Sequence, residues 1–106
     1  MIKRAVKLAK AKSRHKYHRH VAFIVDGKRT VSEGWNHEEI HAEASALRNA
    51  QFWDVRGMEL ISIRWTNGSR IGMAKPCKTC MAKIVNAGIR WITYSDSTGK
   101  LIRMRV

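Results

Sequence analysis

The feature that most constrains this chain is a set of three metal-donor side chains in two distant segments: His41 in His41-Ala42-Glu43, and Cys77 and Cys80 in Pro76-Cys77-Lys78-Thr79-Cys80. Any fold must bring those segments to one point. Zinc prefers four nitrogen or sulfur donors in a tetrahedron, and a catalytic site takes three from the protein and leaves the fourth to water. His41, Cys77 and Cys80 fill three. The cysteines stand at i and i+3, so if Pro76 opens a helix both sulfurs leave its first turn on one face, where the positive helix end and the metal favour thiolate. Pro76 suits that start, since its fixed φ and missing N–H cost nothing in a first turn. Zinc lowers the pKa of a bound water toward neutrality, and Glu43, just beyond a ligand, is placed to take that proton and pass it on. Glu43 therefore reads as the acid/base and not as a ligand.

Each fragment also has a plainer reading. Two cysteines at this spacing can form a redox pair, but the preceding βαβ unit of a thioredoxin-like context is hard to build here, and a lone His-x-Glu carries almost no information. Together the pieces are specific. His37-Glu38-Glu39-Ile40-His41 also matches H-E-x-x-H, the helix motif of zinc proteases, and shares His41 with the first set. That rival needs both histidines on an established helix and a third downstream ligand such as Glu59, and it leaves the cysteine pair unexplained.

Length and charge narrow the remainder. A chain of 106 residues argues for a single domain, 1–106, with a modest core, and no apolar run is long enough to span a membrane. Two cysteines in a metal site, without a secretory apolar segment at the start, point to a reducing interior, so the expected compartment is the cytoplasm. The formal net charge of +13 creates a field that attracts polyanions before any specific contact forms, which makes nucleic acid the natural partner. The basic residues gather between Lys3 and Arg19, and no acid precedes Asp26. Ile2, Val6 and Ala9 recur at helical spacing, while Lys3, Lys7, Lys10 and Arg14 form a stripe on another face. Such a stripe can be a merely solvated face, and an acid-poor basic start also resembles a transit peptide. This one runs into a strand without a linker, and is read as an amphipathic first helix whose stripe meets phosphates.

Beyond that helix, residues 21–25 read as a buried strand, Asp26-Gly27 as a tight turn and 28–35 as the hairpin partner. A helix is expected over about 40–50, a strand over 58–65, and a turn at Asn67-Gly68 leading to Pro76. The third helix should run from Cys77 to about Ala87, bury Cys77, Cys80, Met81 and Ile84 on one side, and stop at Gly88. Strands at 89–94 and 101–106 follow, and the short link between them forces an antiparallel hairpin. The order is αββαβαββ.

These residues, taken together, resemble the cytidine deaminase superfamily over almost the whole chain; His-x-Glu followed by Pro-Cys-x-x-Cys is the signature of zinc nucleobase deaminases. The resemblance implies a three-layer α/β/α fold with a mixed five-stranded sheet, and zinc held between the starts of the second and third helices. Gly34-Trp35-Asn36 is similar to the segment in which family members set an asparagine against the substrate sugar, so Asn36 is the implied contact, with Trp35, Ala42 and Pro76 also facing substrate. The carboxylate that the family keeps beside that asparagine would be Glu33 or Glu38. Ala74-Lys75-Pro76-Cys77 and the closing hairpin resemble the branch whose last two strands are antiparallel, which includes free-cytidine, blasticidin and bacterial toxin deaminases. The first helix and Gly34-Trp35-Asn36 resemble the other branch, with its transfer-RNA adenosine, deoxycytidylate and DNA deaminases.

The expected activity is hydrolysis of the exocyclic amine of cytosine to give uracil, with Zn2+ as cofactor and single-stranded nucleic acid, DNA ahead of RNA, as substrate. Free cytidine, deoxycytidine or their monophosphates are the alternative, and a non-catalytic zinc protein that binds nucleic acid is the more remote one. Oligomeric state is left open. Single-strand enzymes need aromatic platforms for bases. Of the four tryptophans, Trp65 and Trp91 are expected in the core and Trp35 and Trp53 as platforms. His15, His18 and His20 are expected to be solvated or to contact phosphates.

Overall fold

The computed structural model describes residues 2–12, 18–36, 40–51, 53–66 and 71–106. Along the chain run helix α1 (Ile2–Lys12), strands β1 (His18–Asp26) and β2 (Arg29–Trp35), helix α2 (Ala42–Asn49), strands β3 (Glu59–Thr66) and β4 (Ile71–Gly72), helix α3 (Lys78–Asn86), and strands β5 (Trp91–Ser95) and β6 (Leu101–Arg105). The sheet is ordered β2-β1-β3-β5-β6, with β4 also on β3. Among the described residues only the β3/β5 pair is parallel, and α3 provides its crossover. As expected, β5 and β6 are antiparallel.

Alternation along β1 sorts its side chains onto two faces, which explains why this segment reads as a continuous apolar run. Ala22 and Ile24 join Leu60, Ile92 and the inner faces of α2 and α3, including Ala42, Ala46 and Ile84. Val21, Phe23 and Val25 pack with Ile63 against Ala5 and Ala9 of α1. The result is three layers, with α1 on one side of the sheet and α2 and α3 on the other.

Four expectations need correction. The sheet has a sixth strand, because β5 covers β3 only over Glu59 to Ser62 and leaves backbone groups of Arg64 and Trp65 to be met by Gly72 and Ile71 of β4. Helix α3 begins at Lys78, with Cys77 as an extended N-cap (φ −70°, ψ 171°), so Pro76 precedes the cap and does not open the first turn. Outside the helical stripe, Cys77 is exposed, whereas Cys80 and Ile84 are buried. Neither Trp65 nor Trp91 is fully buried; a cation covers each ring, Lys10 at 5.3 Å and Arg103 at 4.2 Å from the respective centroids. The exit from α3 does follow expectation, with Gly88 in the left-handed region at φ 84°.

Candidate metal centre

Two helix starts build the site. His41 is the N-cap of α2 with extended backbone (φ −72°, ψ 155°); its carbonyl accepts from Ser45 N at 2.9 Å while its ring makes no capping bond and turns outward. Cys77 plays the same part for α3, and Cys80 follows one turn later. Nδ1 of His41 lies 3.7 Å from Cys77 Sγ and 3.3 Å from Cys80 Sγ, and the three donor atoms all fall within 4.8 Å of one another. A tetrahedral zinc with ordinary Zn–S and Zn–N bonds sets such atoms about 3.5 Å apart, so the donor set fits that ion. Burial, the charge of Glu43 and the neighbouring Cys77 push the Cys80 thiol up to about 12. The helix end alone does not make this sulfur a thiolate; the cation must displace its proton.

Glu43 stands in the first turn of α2, 2% exposed, and its Oε1 has no hydrogen-bond partner among the described residues. Burial raises its pKa, against the opposing pull of its own backbone N–H, His41 and Arg64. A carboxyl that is buried, unsatisfied and beside three metal donors is suited to holding and releasing a proton.

The strands behind the helices add residues that the sequence did not single out. His20, expected to be solvated or to contact phosphates, is 7% exposed; its Nδ1 lies 3.5 Å from Glu43 Oε1 and its Nε2 lies 2.5 Å from Ser62 Oγ. Burial, then Arg64 and His41, depress its pKa to about 3. Its position follows from register, since His20 pairs with Arg64, and His20, Ala22 and Ile24 alternate onto the α2/α3 face with Leu60, Ser62 and Arg64. Extending the alternation of β1 back to His20 was the available signal.

Other expected contacts scatter. Asn36 lies beside the site, where its Oδ1 accepts from His20 N at 2.9 Å and its own N–H donates to His20 O at 3.0 Å. Ala42 and Pro76 are buried, each next in sequence to a metal donor, His41 and Cys77. Trp35 instead packs against the cluster beneath α1, across the sheet. Glu33 pairs with Arg4 of α1. Exposed Lys7 and Lys10 also belong to the α1 layer, while Arg14, Glu38, His37 and the Lys3 side chain lie outside the described residues. Trp53 is 53% exposed, with the Arg29 guanidinium 5.5 Å from its centroid. The protease-like reading loses its support: α2 starts only after His41, and Glu59 bonds Thr93 and pairs with Arg103 at 3.5 Å.

Comparison with known proteins agrees with this geometry. A family described as the cytidine and deoxycytidylate deaminase zinc-binding region matches residues 1–96. The fold is similar to a diaminohydroxyphosphoribosylaminopyrimidine deaminase/5-amino-6-(5-phosphoribosylamino)uracil reductase from Thermotoga maritima, with a TM-score of 0.63 and 25% identity over 89% of this chain and 28% of that one. RibD of Acinetobacter baumannii gives a TM-score of 0.64 at 19% identity, over 90% of this chain and 27% of its own, a likeness of fold alone. This chain thus spans little more than a quarter of either protein. No curated protein matches the sequence.

Proposed function

This chain belongs to the family of the cytidine and deoxycytidylate deaminase zinc-binding region, and on that premise we propose that it converts cytosine to uracil in single-stranded nucleic acid, DNA ahead of RNA, in the cytoplasm. The observation that carries the deaminase chemistry is the Glu43 carboxyl, buried beside the donors His41, Cys77 and Cys80, with no hydrogen-bond partner for Oε1 among the described residues. Those three side chains would hold zinc through Nδ1 and two sulfurs. When bound, zinc supplies an acidified water as nucleophile. Glu43 takes the proton of that water and delivers it to the departing amine, so cytosine and water become uracil and ammonia. Asn36, adjoining the site, is the proposed contact to the sugar.

Charge and aromatic surface support the polymer as substrate. The net charge of +13 favours a polyanion. Lys10 stands over Trp65 at the end of β3, next to Arg64 on the opposite face, and exposed Trp53 offers a plane for a base. Likeness to the T. maritima protein, whose name describes a deaminase of a ribosylaminopyrimidine, favours a second reading in which the substrate is a free cytosine nucleoside or nucleotide.

Parallel incubation with a cytosine-containing single-stranded oligonucleotide, cytidine and deoxycytidylate tests both readings. Uracil in the oligonucleotide, absent with Glu43→Gln, is the expected result. Conversion of the free compounds alone selects the second reading, and no uracil from any substrate defeats both.

A further inference from the structure

Behind the Glu43 carboxyl a chain of hydrogen bonds assigns the protons of a buried imidazole. Ser62 Oγ donates to the carbonyl of Ala74 at 2.8 Å, so its single proton is committed. That oxygen can then only accept from His20 Nε2, 2.5 Å away. Nε2 therefore carries the imidazole proton, and Nδ1 is left with a lone pair. The lone pair faces Glu43 Oε1 at 3.5 Å, a buried oxygen with no hydrogen-bond partner among the described residues. Ala74 is itself pinned, since its N–H donates to Ser95 O at 2.8 Å and its neighbours lead directly into Pro76 and Cys77.

We propose that His20 is a positioning residue for the proton shuttle: Ser62 and Ala74 fix its tautomer, and its Nδ1 accepts a hydrogen bond from the Glu43 carboxyl while that carboxyl carries the proton in transit. The role rests on the deaminase reading, but the tautomer is a property of the folded chain alone. Only the migrating proton changes place. It leaves the attacking water, resides on Glu43 with Oε1–H directed at Nδ1, and goes to the departing amine, so His20 is neutral before and after. Burial and the adjacent Arg64 charge oppose a second proton on the ring, which keeps Nδ1 an acceptor.

Nitrogen-15 labelling of histidine in the zinc-loaded protein reads the tautomer through long-range proton–nitrogen correlations. The expected pattern for His20 is a protonated Nε2 and a bare Nδ1, and Ser62→Ala should release it toward a mixture. Two substitutions then divide the ring's functions. In His20→Asn an acceptor oxygen stands near the Nδ1 position, whereas in His20→Gln the amide reaches toward Ser62 and leaves that position empty. The Gln variant should lose about tenfold or more in kcat at unchanged KM, and the Asn variant should retain most of it. Equal kcat in the Gln variant and the wild type would overturn the proposal. An Nδ1–H tautomer would overturn it even if neither variant folds. Absence of turnover in the wild type strikes the deaminase reading and takes the role with it, while a wrong tautomer strikes this proposal alone.

Discussion

Gly34 of β2 lies so close to Ala46 of α2 that a Cβ on the glycine would stand 2.2 Å from the Ala46 nitrogen and 2.5 Å from the Ala42 carbonyl oxygen. Both are backbone atoms, so neither can swing away. The same seam is laced by Ser32 Oγ donating to Ala46 O at 2.7 Å and Asn49 Nδ2 donating to Glu33 O at 2.7 Å. This seam sets the position of α2, and with it His41 at the cap and Glu43 in the first turn. Gly34→Ala should therefore cost about 3 kcal/mol or more, the upper end of overpacking, and lower zinc affinity as well. Urea denaturation and metal content measure the two effects; an unchanged midpoint would show that the helix can back away freely.

The metal should be part of the fold. Binding energy at a site absent from the unfolded chain is folding energy, so the purified protein should carry one zinc, and a chelator should lower its melting temperature. Cys80→Ala, which removes a buried ligand, should abolish binding. His37→Ala should leave the zinc in place, because α2 starts after His41 and the ligand set is complete without His37. Metal analysis of the three proteins decides the matter, and full occupancy in Cys80→Ala would rule out the assignment.

What the sequence disclosed and what it concealed differ in physical kind. His41, Glu43, Cys77 and Cys80 stood out because donor chemistry and spacing are local; the three donors do come together, although Cys77 sits at the N-cap, outside the stripe that carries Cys80. The final hairpin was legible because its link is too short for any other connection. His20 was not, since it begins an apolar run after two other histidines and a basic stretch, and nothing local separates it from His18. Its role exists only through the register that sets it opposite Arg64 and within reach of Ser62. The incomplete burial of Trp65 and Trp91 was hidden for a similar reason, because the cations over their rings come from α1 and β6. Strand β4, two residues long, is too short for any period to show.

Acid should act on the fold through His20. Its folded pKa of about 3 lies below the ordinary 6.5, so between those values the unfolded chain binds a proton that the folded chain refuses. The resulting stability is fully present above about pH 6.5 and drains as pH falls toward about 3, by at most about 1.4 kcal/mol per pH unit. Unfolding free energies at about pH 7 and about pH 5.5 should differ by roughly 1 kcal/mol more in the wild type than in His20→Asn. Identical pH dependence in the two proteins would mean that His20 is protonated as readily folded as unfolded.

The polymer reading turns on Lys7 and Lys10, both exposed on α1. Each phosphate contact on a single strand contributes about 0.7 to the slope of log affinity against log salt, so replacing both lysines by glutamine should flatten that slope by up to about 1.4. Lys10 also covers Trp65, and its loss should lower stability by about 0.5–1 kcal/mol, which the melting temperature of the variant will register separately. Deamination of free cytidine should hardly change, because a neutral nucleoside feels little of this field. Oligonucleotide binding therefore weakens while nucleoside turnover stays the same in one variant if the helix tracks a phosphate backbone. Equal loss on both substrates would make α1 a purely structural layer, and unchanged oligonucleotide affinity at low salt would transfer the preference to the free nucleotide.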